Sequence, residues 1–114
     1  PDYSSAASDV YKRQVVGVAK DTDAVLSFLK EKVEPIYEES EGLQVTGAIF
    51  DGSSAISWNF WDSEEDMNAA VEKLQAALDS ESESELFDGS TVAYMGPVYA
   101  GKLFIDFNEG DTPT

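Results

Sequence analysis

The sequence predicts an α+β fold: one antiparallel four-stranded sheet with two helices on a single face. Three features predict it. Ser57-Trp58-Asn59-Phe60-Trp61 alternates like a strand and runs through Asp62 straight into Ser63-Glu64-Glu65-Asp66-Met67, the opening of a helix. Asp51-Gly52-Ser53-Ser54, just ahead of it, reads as a hairpin turn, because glycine relieves the positive φ such turns need. Two apolar stripes at helical spacing alternate with the strand-like runs.

The elements follow in order. Ser4 to Gln14 match a one-frame translation of the adapter used in a common transposon-based sequencing library, so residues 1–14 are set aside as non-native. They carry the only Arg in the chain. The native frame is then expected to begin at or just before Val15, with its true start missing. Val15 to Lys20 is a short β-rich run and the expected first strand. From Asp21 to Glu41 the apolar residues Val25, Leu26, Leu29, Val33, Ile36 and Tyr37 form a helical stripe, opened by Asp21 or Thr22 and closed by Gly42. Pro35 lies inside it and is expected to bend or interrupt the helix near Lys32.

Leu43 to Phe50 and Ala55 to Trp61 are the hairpin strands. Ser63, with Asp66 three positions on, caps the second helix, and Glu64 and Glu65 suit its positive end. Met67, Val71, Leu74 and Leu78 form its buried stripe. Asp79 to Glu85 is a low-complexity acidic stretch, expected as a solvated loop or a fraying helix end. Leu86 and Phe87 are expected to pin its far side to the core. Thr91 to Tyr99 reads as the fourth strand, Lys102 to Phe107 as a further short strand, and residues 108–114 as a polar tail.

This strand, helix, strand, strand, helix, strand order is the ferredoxin-like βαββαβ arrangement, expected as one domain over residues 15–107. Right-handed crossovers put both helices on the same face. Ile56, Trp58 and Phe60 point to one side of the third strand; Ala55, Ser57, Asn59 and Trp61 point to the other. Two helices can cover only one side. The sheet face bearing Trp58 and Phe60 is therefore expected to pair with a second copy as a homodimer, or to be partly covered by the tail from Lys102 onward.

Composition narrows the function. The net charge is −16. Setting aside Lys12, Arg13, Asp2 and Asp9 leaves five lysines against twenty-one carboxylates. Such a field repels phosphate backbones and anionic lipid, so neither nucleic acid nor a membrane surface is an expected partner. With no Cys and no His there is no thiolate nucleophile, no Ser-His-Asp triad and no zinc ligand set, and no metal or other cofactor is expected. No apolar run approaches a membrane span. A cytoplasmic location is expected, although a leader could have been lost with the native start.

The glycine of Glu41-Gly42-Leu43, the hairpin and the junction Trp61-Asp62-Ser63-Glu64-Glu65-Asp66 together resemble the antibiotic-biosynthesis-monooxygenase type of dimeric α/β barrel, over nearly all of Val15 to Tyr99. That family includes metal- and flavin-free oxygenases of phenolic or quinone-like molecules, haem-degrading oxygenases, and small proteins without assigned activity. The haem branch needs an axial ligand, usually His, which this chain lacks. Trp61 matches the family's strand-end tryptophan, which in the oxygenases lines a cavity between sheet and helices. Its other role is a core plug that anchors the second helix.

On this resemblance the candidate catalytic residues are Asn59, Trp61 and Tyr94, and the candidate substrate-binding residues are Trp61, Phe50, Met67 and Tyr37. Asn59 would hydrogen-bond a substrate oxygen or a structural partner. The tyrosines would act as phenolic acid or base groups. The expected activity is cofactor-independent oxygenation of a small phenolic or quinone-like molecule. The alternative is a non-catalytic homodimer that binds a small aromatic ligand or serves a stress-related role.

Overall fold

The computed structural model describes residues 10–99. The expected short strand after Lys102 and the polar tail lie outside them. The elements are β1 (Tyr11–Val18), α1 (Thr22–Phe28), a π-helical turn (Leu29–Val33), α2 (Glu34–Glu39), β2 (Leu43–Asp51), β3 (Ser54–Trp61), α3 (Glu64–Glu81), α4 (Glu83–Leu86) and β4 (Val92–Pro97). The four strands form one antiparallel sheet in the order β2-β3-β1-β4, as the ferredoxin-like pattern requires.

β1 begins four residues before the expected Val15, at Tyr11. Its central place in the sheet explains this. Tyr11 faces Trp61 on one side and Pro97 on the other, so the main chain there completes two ladders whatever side chains it carries. Lys20, in contrast, falls outside the strand.

The first helix opens where expected, with the Asp21 carboxylate accepting from the Asp23 amide at 3.0 Å. It is then interrupted just before Pro35. The Glu34 amide donates to the Leu29 carbonyl five residues back, the mark of a π turn. Widening the helix here absorbs the missing N–H and the steric bulk of the proline ring. At α3 the Ser63 hydroxyl accepts from the Asp66 amide at 3.1 Å. The hairpin turns through Gly52, whose φ of +62° is open to glycine at no steric cost.

The acidic stretch is more ordered than expected. α3 continues to Glu81, the chain breaks at Ser82 with a φ of +69°, and α4 follows at once. Two side chains and one carboxylate hold it. Leu86 and Phe87 are buried, and Glu83 Oε2 accepts from the Thr91 amide at 2.8 Å and the Thr91 hydroxyl at 3.0 Å.

All helical cover falls on one sheet face. Val25, Phe28, Val33 and Leu74 pack with Ala19, Leu86 and Phe87 in the larger core cluster. Trp61, Met67 and Ala70 make a second, smaller one. The other face carries Val16, Val45, Ile49, Ile56, Trp58, Phe60, Val92 and Tyr94, aligned by the strand registers. It is an apolar surface: Ile49 is 51% exposed, Val92 50% and Tyr94 61%. Among the described residues, no helix is long and apolar enough to cross a membrane.

Candidate functional site

β3 delivers Asn59 and Trp61 to the covered face because residues two apart on a strand share a side. Both are fully buried. The Trp61 indole N–H donates to Asn59 Oδ1 at 2.7 Å, and Asn59 Nδ2 donates to the Tyr37 hydroxyl oxygen at 2.9 Å. Tyr37 reaches down from α2, its ring 6.4 Å from that of Trp61 and tilted by 54°. The helix and the strand are thereby joined by a chain of three polar side chains. A buried amide left without partners would be costly, and this arrangement satisfies it from both ends.

Beside this chain, between the sheet and the helices, lies a cavity of about 290 Å³. Small side chains on the sheet make room for it. Its floor is Gly17, Ala48, Ala55, Ser57 and Ala93, where larger residues would reach the helices. Val25, Phe28, Leu29, Val33, Leu74 and Leu78 form the roof, and Phe50 and Tyr37 close the sides. At Gly17 the Phe87 ring and the Thr91 methyl pack so closely that a Cβ would sit 2.9 Å from each, which is why this position has no side chain.

The expected site residues separate into three groups. Tyr37 and Phe50 line the cavity. Trp61 and Met67 lie in the smaller core cluster, which meets the cavity lining at Tyr37, and Asn59 links Trp61 to Tyr37. Tyr94 lies on the opposite face of the sheet, across from Gln14, and Gln14 is across from Trp58. The sheet itself therefore stands between Tyr94 and the cavity.

Six polar residues of the lining stand outside the expected set: Arg13, Ser57, Gln75, Glu83, Ser90 and Thr91. Ser57 was assigned to the correct face but is too small to draw attention. Glu83 belonged to a stretch expected to be solvated. Arg13 lay in the segment set aside. Its register opposite Asn59 turns it toward the helices. Its Nε is buried without a hydrogen-bond partner among the described residues. Burial lowers the guanidinium's pKa, and the Tyr37 hydroxyl beside it partly offsets this.

Burial likewise pushes the Tyr37 phenol above its ordinary value of 10.0, against the smaller opposing effects of Arg13 and Thr46. At neutral pH Tyr37 is an uncharged phenol, a hydrogen-bond donor and not a base. Its oxygen accepts from Asn59 and lies beside the Arg13 guanidinium, while the Thr46 hydroxyl gives its own proton to the Trp58 carbonyl at 3.2 Å. The Tyr37 proton can therefore go to the Thr46 oxygen or to an acceptor that enters the cavity.

Neither the protein-family models nor the curated proteins contain a match to this chain. Solved structures do. A protein of unknown function from Nitrosomonas europaea superposes with a TM-score of 0.71 at 19% identity, covering 88% of this chain and 99% of that one. A dimeric ferredoxin-like protein from an uncultured marine organism gives 0.68 at 14% identity, with 86% and 95% covered. SnoaB, a cofactor-independent oxygenase from Streptomyces nogalater, gives 0.65 at 8% identity, with 86% and 99% covered. The fold is thus the ferredoxin-like α+β fold, one that a putative antibiotic biosynthesis monooxygenase from Nitrosomonas europaea also adopts, in line with the resemblance.

Proposed function

We propose that this protein takes a small, flat phenolic or quinone-like molecule into the cavity between sheet and helices and promotes its oxygenation without a cofactor. The observation that carries the reading is the cavity itself: apolar walls, a volume of about 290 Å³, and a neutral Tyr37 phenol at one end. A space of this size suits a small aromatic ring system. In chemistry of this type the deprotonated substrate supplies the electron to oxygen. The protein then contributes a dry pocket and a donor to the substrate oxygen, and Tyr37 is placed to be that donor. The likeness in fold to SnoaB supports the reaction class.

A second reading is a non-catalytic ligand-binding protein. It is supported by Asn59 and Trp61, which spend their hydrogen bonds on each other and on Tyr37. Oxygen uptake with a panel of hydroquinones separates the two. Uptake that Tyr37→Phe abolishes supports oxygenation, and saturable binding without uptake leaves the ligand-binding reading.

Under either reading the working unit is a homodimer joined through the sheet face bearing Trp58 and Phe60. That face is covered by no element of the described chain, and its apolar content is of the kind that marks an interface. The dimeric neighbour of the same fold supports this assembly.

A further inference from the structure

The cavity has two polar ends, and they differ in kind. Tyr37 stands at the Asn59 end, where β3 lies opposite Arg13 of β1. Glu83 stands at the other. Its carboxylate is held by the amide and hydroxyl of Thr91, and the Thr91 methyl packs over Gly17. Arg13 and Gly17 are four residues apart on one strand, so the two ends are about 13 Å apart along β1. Everything between them on the floor is small or apolar. One end offers a proton, and the other offers a carboxylate oxygen.

We infer that Glu83 is a specificity-determining residue of this cavity, selecting elongated planar aromatics that carry a hydroxyl at the end reaching Glu83 and a carbonyl at the end reaching Tyr37. This rests on the ligand-binding reading above and adds polarity to it. Two bonds from Thr91 fix the position of the carboxylate before any ligand arrives, so an incoming hydroxyl meets an oriented acceptor. A ligand lacking that hydroxyl would strip water from the carboxylate and return nothing, and polar mismatch of this kind discriminates more sharply than a change of apolar size. A ligand with a carboxylate at that end would meet like charge.

The test uses two fluorescent probes of equal shape, 6-hydroxy-2-acetonaphthone and 2-acetonaphthone, titrated against the full chain and against Glu83→Gln and Glu83→Ala. The wild type is expected to bind the hydroxylated probe about tenfold more tightly. The ratio should fall to about threefold in Glu83→Gln and to about one in Glu83→Ala. A residue that only holds the fold would weaken both probes alike, and an unchanged ratio in the variants overturns the inference. Equal binding of the two probes to the wild type overturns it as well, while leaving the cavity reading standing. Binding of neither probe removes the cavity reading and this inference together. If Glu83→Ala loses its circular-dichroism melt, Glu83→Gln, which can still accept from Thr91, decides alone.

Discussion

Trp61 donates its indole proton to Asn59, two residues earlier on the same strand, at 2.7 Å, and both side chains are shut off from solvent. With Tyr37 completing the chain at 2.9 Å, this is the polar seam along which α2 is set onto the sheet. Trp61→Phe should therefore act on stability. It leaves Asn59 Oδ1 unpaired in the interior, which costs about 1–3 kcal/mol. Urea unfolding should show that loss, while probe affinity changes less than about threefold, since Trp61 is absent from the cavity lining. A large loss of affinity with intact stability would return Trp61 to the ligand site.

Tyr37 ties stability to alkaline pH. Its folded pKa lies above the unfolded value of 10.0 because burial opposes the phenolate. The contribution is fully present below pH 10 and is lost as pH rises from there through the folded pKa, because the unfolded chain releases its proton first. Absorbance at 295 nm should show late ionisation from Tyr37 and from Tyr11, whose pKa burial and Glu64 also raise. In Tyr37→Phe the late component should shrink, and the stability curve should flatten above pH 10.

Arg13 carries a buried Nε with no partner among the described residues, inside a largely apolar wall. Arg13→Leu should raise stability by about 1–2 kcal/mol, since removing an unsatisfied buried donor recovers its desolvation cost. The same variant should move the Tyr37 pKa further up, because the guanidinium now holds it down. Destabilisation in Arg13→Leu would show that the contact with Tyr37 outweighs the burial.

The uncovered sheet face should hold a second copy. Sedimentation at micromolar concentration and ordinary salt is expected to give a dimer. Ile49→Lys, which places a charge on the exposed apolar face, should shift it to monomer without changing the helical circular dichroism. A wild-type monomer would rule out this face as the interface. The Trp58 indole lies across Gly47, and a Cβ there would come within 2.6 Å of it. Gly47→Ala should accordingly lift Trp58 and weaken the dimer less than Ile49→Lys does.

Much of the fold was legible because its signals are local. The Gly52 turn, the Ser63 cap, the Asp21 cap and the interruption before Pro35 each depend on a few neighbouring residues, and each occurs where the chain chemistry placed it. The division of β3 into a Trp58 face and a Trp61 face followed from the two-residue period alone. The site was less legible. Asn59 and Trp61 were placed on the side opposite Trp58, which is the covered one, but which residues border empty space depends on how far the helices stand off the sheet. Tyr94 shows the difficulty from the other direction: a one-residue change of register would have put it over the cavity, and only the pairing with Gln14 sets its face.

By itself, then, the sequence determined the order of the elements, their caps and turns, and the two-sided apolar sheet, since these arise from backbone preferences and periodicity within short windows. Tertiary structure decided the rest. It set Trp61 in a packed cluster and Tyr37 at a cavity edge, turned Arg13 inward, and brought Glu83 from an acidic stretch onto Thr91. Such placements depend on packing and on hydrogen bonds between residues far apart in the chain, where the cost of leaving a buried polar group unpaired selects the partner.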